Sequence, residues 1–333
     1  MHILIIGAAG MVGSKLTSCL AQRGELAGTE ITRMTLADVV PTPAPTFAGK
    51  VDIATIDLAK PGEAEQLVAG RPDVIFHLAA IVSGEAEADL SKGYSINLDG
   101  TRYLFDAIQK LNATDGYRPR VIFTSSLAVF GAPFPDKIDD EFFLTPLTSY
   151  GTQKAMCELM LADYVRRGFF DGIGIRLPTI CIRPGKPNKA ASGFFSNILR
   201  EPLVGKEAVL PVEESIRHWF ASPRAAVGFL IHAAEIDLSL LGARRSLTMP
   251  GLSVTVGDQL AALRRFGGDE SLRLIRREPD AGIAAIVGNW PRDFNTRRAL
   301  DLGFQADASF DDLVRVYIDD ELGGALQSAG VSS

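Results

Sequence analysis

The sequence has few cysteines and lacks long uncharged apolar runs. Only three of its 333 residues are cysteine, and Cys19, Cys157 and Cys181 lie far apart without Cys-x-x-Cys spacing or clustered histidines. We therefore expect no disulfide framework and no metal site, and interpret each thiol as a small buried hydrophobe. No stretch approaches the roughly 20 apolar residues that cross a bilayer, and the chain opens on a strand rather than a basic leader. These absences predict a cytoplasmic protein without a membrane partner.

Charge of one sign is not concentrated either. The 34 basic and 40 acidic residues are interspersed and give a net charge of -6. This pattern argues against a dedicated nucleic-acid surface, so no nucleic-acid partner is predicted. With 47% hydrophobic residues, the chain is long enough to bury a large core of roughly two domains.

Glycines follow the first predicted strand. The β-branched run 3–6 ends at Gly7, and helical spacing begins at residue 11. Gly7 permits a tight turn, Gly10 lets a pyrophosphate approach the backbone, and Gly13 lets the helix close on the strand. A βα turn that merely contains glycines is the alternative. The predicted dinucleotide contacts in this turn are Gly7, Gly10, Met11, Val12 and Gly13.

Carboxylates end the next two predicted strands. The strand 31–37 ends at Asp38, which can accept hydrogen bonds from both adenosine ribose hydroxyls and would repel a 2′-phosphate. This favours NAD over NADP, the alternative being a surface-turn aspartate. The strand 51–56 ends at Asp57 and Leu58, predicted to contact the adenine edge.

Two further predicted strands complete a sheet. Residues 73–80 read as a buried strand whose last residues, Leu78, Ala79 and Ala80, would lie under a nicotinamide dinucleotide, with His77 interpreted as a core residue. Residues 120–124 form the next strand and lead to Ser126. Strands that alternate with helices predict an α/β Rossmann fold, a doubly wound parallel sheet with a smaller α/β substrate-binding domain. The strand ends that would meet at one crevice are Gly7, Asp38, Asp57, Ala79 and Ser126.

A tyrosine and a lysine lie four residues apart in the predicted helix 149–167. Tyr150 and Lys154 therefore share one face. A phenol with a pKa of about 10 is a poor base at neutral pH, and shifting that pKa to about 7 requires roughly 4 kcal/mol of phenolate stabilisation. We expect the Lys154 ammonium and the positive nicotinamide ring to supply it, while Ser126 orients the substrate oxygen.

In combination these motifs make the chain resemble the extended short-chain dehydrogenase/reductase family, which includes nucleotide-sugar epimerases. The resemblance rests on the glycine turn 7–13, Asp38, Asp57-Leu58, residues 77–80, residues 97–101, residues 124–131 and Tyr150-x-x-x-Lys154. It implies that Ser126, Tyr150 and Lys154 are catalytic and that the cofactor is NAD(P). Further predicted cofactor contacts are Asn97, Pro178 and Ile180. The resemblance also implies a homodimer joined through the helices at 94–111 and 150–167.

The substrate end departs from the sugar-nucleotide members. Where they commonly carry Arg-x-x-Asn, this chain has Arg176-Leu-Pro-Thr179, and only Arg217 remains of a later anion-binding motif. Cations are frequent between them: Arg183, Lys186, Lys189, Arg200, Lys206 and Arg217. Arginine can bind a carboxylate through two parallel hydrogen bonds, whereas a solvated loop is the preferred interpretation for the lysines. The predicted substrate contacts are Ser126, Tyr150, Thr179, Arg183, Ser192 and Arg217.

The stretch 191–211 resembles the lid of the D-erythronate dehydrogenase subgroup. This resemblance implies NAD-dependent oxidation of a secondary hydroxyl of a small anionic polyhydroxy acid, with D-erythronate as the expected substrate. A nucleotide-sugar 4-epimerase with the same triad, and a dinucleotide-sensing or scaffold protein without turnover, are the alternatives.

The predicted cofactor domain spans 1–176, with 222–245 returning to it, and the substrate domain comprises 177–221 and 246–330. Strands are expected at 247–254 and 272–276. Helices are expected at 222–235, 256–266, 295–302 with Asn295 as N-cap, and 310–322. Trp290 and Phe294 are expected to pack a core or a subunit face, and the tail from Gly323 to fray.

Overall fold

The computed structural model describes residues 1–185 and 192–326. The strands within these residues are β1 (His2–Ile6), β2 (Glu25–Leu26), β3 (Thr29–Glu30), β4 (Arg33–Asp38), β5 (Lys50–Thr55), β6 (Val74–His77), β7 (Arg120–Ser126), β8 (Asp171–Leu177), β9 (Thr179–Ile180), β10 (Ala208–Leu210), β11 (Arg217–Ala221), β12 (Ser246–Thr248), β13 (Leu252–Thr255) and β14 (Ile275–Arg277). The α-helices are α1 (Met11–Arg23), α2 (Glu63–Val68), α3 (Ser83–Ala88), α4 (Leu90–Gly93), α5 (Gly100–Asp115), α6 (Ser149–Arg166), α7 (Gly193–Leu203), α8 (Pro223–Glu235), α9 (Val256–Arg273), α10 (Ala281–Gly288), α11 (Arg297–Asp301) and α12 (Phe310–Glu321). A π-helical turn, Tyr94–Asp99, joins α4 to α5.

Seven strands form one parallel sheet in the order β12-β8-β7-β6-β1-β4-β5. Successive side chains of a strand point to opposite faces, and β1 is apolar on both. Ile3 and Ile5 therefore pack into one core, and Leu4 and Ile6 into another on the opposite face. A sheet covered on both faces is what the alternation of strands and helices predicts, and the doubly wound parallel α/β fold is confirmed.

The chain leaves β1 toward β4 on one side and later returns to β6 on the other. The amide of Gly7 donates to the carbonyl of Ala37 at the end of β4, and the amide of Leu78 beyond β6 donates to the carbonyl of Ile6. Three strand ends thus converge where the strand order reverses, which is where ligands of such sheets bind.

A second group of elements packs around its own core. Its small sheets are β13-β11-β9 and β10-β14, and α7, α9, α10 and α12 contribute apolar side chains to the cluster. The helix α8 instead packs on the large sheet, as predicted for residues 222–235. The division into domains stays a prediction, but its boundary at residue 246 is wrong by one strand, because β12 pairs with β8 in the large sheet.

Residues 24–30 contain the hairpin β2-β3. Three local predictions need correction. The stretch 247–254 is divided between β12 and β13, which belong to different sheets. The helix expected at 256–266 continues to Arg273, with a non-helical backbone at Gly268. Thr296 rather than Asn295 precedes α11, because the amide of Asn295 pairs with the carbonyl of Ile138 instead.

The predicted apolar packing of the last third is observed. Phe294 is buried against Trp219, and Trp290 packs on the second core. The end of the predicted tail, 327–333, lies outside the described residues. Among those that are described, no helix combines the length and the apolar character needed to cross a membrane.

Candidate active site

The glycine turn after β1 is packed too tightly for side chains. Gly7 has a φ of +91°, and a Cβ there would lie 2.7 Å from the amide nitrogen of Ala79. A Cβ on Gly13 would lie 2.1 Å from the carbonyl oxygen of Gly7. Gly10 precedes α1 and offers no side-chain cap, so the first-turn amides of Met11 and Val12 are left for another acceptor.

Asp38 lies directly beside this turn. Its Oδ2 accepts a hydrogen bond from the amide of Ala9 at 2.9 Å. Each carboxylate oxygen has a further lone pair, so the group can still accept from a ribose hydroxyl. Asp57 accepts from the amide of Ala59 at 3.0 Å, whereas Leu58 is buried in the core below. Contact of Leu58 with adenine stays a prediction.

The segment after β6 is held from below by Asn97. Its Oδ1 accepts from the amide of Ile81 at 2.9 Å, and its Nδ2 donates to Gln153 at 2.7 Å. Asn97 therefore fixes the backbone that follows Ala79 and Ala80, while its predicted contact with the cofactor stays untested. His77 is fully buried and bonded to Thr101, and burial lowers its pKa to about 3, so it is a neutral core residue as expected.

These features fit a dinucleotide. The crevice has a backbone cradle that a Cβ would fill at Gly7 and Gly13, unpaired amides at a helix N-terminus, and a carboxylate at the end of β4. The first two suit a pyrophosphate, and the third suits ribose hydroxyls without a phosphate. The residues present therefore accommodate NAD.

Lys154 is buried below this crevice. It is only 2% exposed, and its ammonium donates to the carbonyl of Thr124 at 2.8 Å. The Nζ atom lies 5.8 Å from the centre of the Tyr150 ring and 4.7 Å from that of Phe123. Burial lowers the pKa of Lys154 to about 8, against the opposing charge of Glu158.

A second cation, Arg183, acts on Tyr150. Burial raises the pKa of its phenol, while the charge of Arg183 and a hydrogen bond with Ser126 lower it. The Lys154 ammonium is directed to the Thr124 carbonyl, and the expectation that it and the nicotinamide ring together favour the phenolate stays a prediction. The structure thus brings Ser126, Tyr150 and Arg183 together, with Lys154 below the ring.

An ion-pair network lies behind this cluster. Glu158, one helical turn after Lys154, accepts from the Nε and NH2 groups of Arg176 and from the hydroxyl of Ser125. Arg176 also faces the buried Asp140. The sequence analysis named Arg176 only as part of the motif 176–179 and missed Glu158. The four-residue spacing of Glu158 from Lys154 was the signal that could have indicated it. The network ties α6 to β7 and β8, so it fixes the height of Tyr150 above the sheet.

The other predicted substrate residues are dispersed. Thr179 lies two residues after the end of β8 and is hydrogen-bonded to His218, while its neighbours Pro178 and Ile180 are buried. Arg183 donates through Nε to the carbonyl of Ile180. Arg217 donates to the carbonyl of Ser253 in the second group of elements, and Ser192 precedes α7. Lys186, Lys189 and Ala191, the first residue of the expected lid, lie outside the described residues.

Known proteins resemble the chain over nearly its whole length. It is 46% identical over 324 residues to D-erythronate dehydrogenase from Cupriavidus necator, covering 96% of this chain and 98% of that one. It is 42% identical to D-erythronate dehydrogenase from Haemophilus influenzae, covering 96% and 99%. A crystal structure described as the nucleoside-diphosphate-sugar epimerase from Agrobacterium tumefaciens is 66% identical, with a TM-score of 0.96 and coverage of 98% and 96%. The model of the NAD dependent epimerase/dehydratase family matches residues 3–233. With this match, the glycine cradle and the Ser126, Tyr150 and Lys154 cluster, the chain belongs to the NAD dependent epimerase/dehydratase family.

Proposed function

We propose that the protein oxidises a secondary hydroxyl of D-erythronate with NAD⁺. The observation that carries the proposal is the Tyr150 phenol, whose ring lies 5.8 Å from the Lys154 ammonium and whose pKa Arg183 and Ser126 lower, in a chain with a dinucleotide cradle. The two relatives named D-erythronate dehydrogenase support the choice of substrate. When bound, NAD⁺ supplies the acceptor for the hydrogen and two electrons that leave the substrate carbon.

Tyr150 is assigned the proton transfer. It is half-buried, and Ser126 is close enough to lower the pKa of its phenol, so we expect both hydroxyls to reach a single substrate oxygen. Ser126 holds that oxygen while the phenolate removes its proton. Lys154 fixes the floor of the site through Thr124, and its charge helps hold a phenolate once the positive cofactor ring is in place.

Arg183 is assigned to the substrate carboxylate. Within the described residues no acidic side chain lies within salt-bridge distance of it, while Nε is committed to the carbonyl of Ile180. The terminal nitrogens of its guanidinium carry the donors that a carboxylate accepts in pairs. Because the same charge acts on Tyr150, an anion bound at Arg183 lies close to the phenol.

The test is direct turnover. Purified protein with NAD⁺ and D-erythronate is expected to raise NADH absorbance, with one keto acid formed per NADH. D-threonate, which differs in one stereocentre, is the matched control and is expected to react more slowly. No NADH with D-erythronate over a range of pH would refute the proposal.

The second candidate is a nucleoside-diphosphate-sugar 4-epimerase, because the Agrobacterium tumefaciens structure carries that description. It would use the same triad and return the hydrogen to the sugar, so no NADH would accumulate. Thr179, at the place of the family's asparagine, is bonded to His218 and has no amide to offer a nucleotide sugar. Interconversion of UDP-glucose and UDP-galactose without NADH release would favour this candidate.

We also propose that the enzyme is a cytoplasmic homodimer joined through α5 and α6. Three unpaired thiols fit a reducing compartment. Leu159 on α6 is 67% exposed, which suits a face covered by a second copy. Light scattering is expected to give a dimer that Leu159→Glu converts to a monomer. Leu240→Glu, at a site 66% exposed outside these helices, should leave the dimer intact, and a monomeric wild type would refute the assignment.

A further inference from the structure

Thr179 lies at the edge of the crevice that holds Tyr150. In the register of β7 and β8, Ser126 is beside Leu177, and Thr179 follows two residues later. It opens β9, whose next residue, Ile180, accepts the hydrogen bond from Arg183. Thr179 is half-buried, so part of the residue remains accessible at this edge of the sheet.

The hydroxyl of Thr179 is paired with a histidine that cannot turn. Oγ1 lies 2.7 Å from Nε2 of His218, which is 4% exposed. Its ring stacks on Phe195 at 5.3 Å with an interplanar angle of 2°. Phe220 meets the ring edge-on at 5.2 Å, and Trp290 lies 5.3 Å away. These contacts hold the imidazole in one orientation.

The proton of this ring can be assigned from its surroundings. Burial lowers the pKa of His218 to about 4, so the ring is neutral near pH 7 and has one donor and one acceptor nitrogen. The Pro291 carbonyl acts on the ring and can only accept, although it forms no regular hydrogen bond with Nδ1. Because Nε2 faces Thr179, the other nitrogen, Nδ1, is the one that faces the carbonyl; a lone pair there would be repelled, so we assign the proton to Nδ1, which leaves Nε2 as the acceptor. The Thr179 hydroxyl must then donate to His218.

We propose that the Thr179 hydroxyl donates its only proton to His218, so that toward the substrate its oxygen can only accept a hydrogen bond. Thr179 therefore favours a substrate with a hydroxyl group at this position. This inference rests on the proposed function and deepens it. A carboxylate offers no proton to such an oxygen and is directed to Arg183 instead. Thr179 thus binds a substrate hydroxyl that is not oxidised. His218 is a positioning residue that acts through Thr179.

The test compares D-erythronate with analogues that each lack one hydroxyl. Wild type is expected to prefer D-erythronate in kcat/KM over one of these analogues by ~10-fold, the value of a hydrogen bond at the upper end of the usual range. Thr179→Val should remove this preference by raising the KM for D-erythronate, while kcat/KM for that analogue stays the same. Thr179→Ser keeps the hydroxyl and should keep the preference. His218→Phe, which preserves ring stacking, should reduce the preference to the level of Thr179→Val.

The double variant distinguishes positioning from general support of the fold. If His218 acts through Thr179, adding His218→Phe to Thr179→Val leaves the preference unchanged; additive losses on both substrates would overturn the inference. An unchanged preference in Thr179→Val, or weaker NAD⁺ binding measured by titration, would also overturn it. Wild type that fails to oxidise D-erythronate would refute the proposed function and this inference together. If wild type oxidises D-erythronate and the preference is the same in Thr179→Val, only the inference is refuted. Should His218→Phe fail to fold by circular dichroism, the two Thr179 variants decide.

Discussion

Replacing Gly13 by alanine tests the cofactor cradle by adding one methyl group. A Cβ there would lie 2.1 Å from the carbonyl oxygen of Gly7 and 2.9 Å from the Cα of Ala8. Ordinary contacts begin near 3.5 Å, so the backbone must move by about 1.4 Å. Such overpacking costs up to about 3 kcal/mol, and alanine returns about 1 kcal/mol of helix propensity, so we expect a net loss of about 2 kcal/mol.

The assay pairs urea unfolding with NAD⁺ titration. Because the displaced carbonyl belongs to the turn that would hold the pyrophosphate, Gly13→Ala should weaken NAD⁺ binding by at least ~10-fold, or 1.4 kcal/mol. Gly10→Ala meets only the Gly7 oxygen at 3.3 Å, so it should weaken binding with little loss of stability. Gly228→Ala in α8 meets no atom within 4 Å and should preserve both. A Gly13→Ala protein with wild-type stability and affinity would refute this packing argument.

Three further substitutions test the charge that acts on the phenol and two buried polar groups of the large sheet. Arg183→Met removes a charge that favours phenolate, so the pH range in which kcat rises should move upward, while Arg183→Lys should move it less; an unshifted profile would contradict the role of Arg183. His77 has a pKa near 3 when folded and 6.5 when unfolded. As the pH is lowered from 6.5 towards 3, the unfolded chain binds the proton first, so the free energy of unfolding decreases. Wild type should lose ~1.4 kcal/mol per pH unit more than His77→Leu in urea unfolding, and equal losses would contradict the assignment. Arg176→Leu leaves the buried Glu158 carboxylate without its ion-pair partner and should lower the free energy of unfolding by ~3–5 kcal/mol. A change below ~1 kcal/mol would show that the fold does not depend on this ion pair.

Local patterns were sufficient for the cofactor half of the fold. Gly7, Gly13 and Asp38 are recognisable because a strand precedes each turn and the chemistry requires those residue types at those positions. The four-residue spacing of Tyr150 and Lys154 placed both on one helix face in the same way. Each of these inferences depends on neighbours in sequence.

Contacts between distant segments could not be read in this way. His218 is 39 residues from Thr179, and no spacing rule links them. Whether Ser246–Thr248 pairs in the large or the small sheet depends on register rather than composition. Lys154 was associated with Tyr150 because it is close in sequence, whereas the charge of Arg183, which acts on Tyr150 from the segment after β9, could not be predicted from spacing.

The most direct test of the account is the Tyr150→Phe variant assayed with NAD⁺ and D-erythronate. The account predicts unchanged NAD⁺ affinity and a fall in kcat of ~10²–10⁴, since only the proton-transferring hydroxyl is removed. Turnover equal to that of wild type would contradict it.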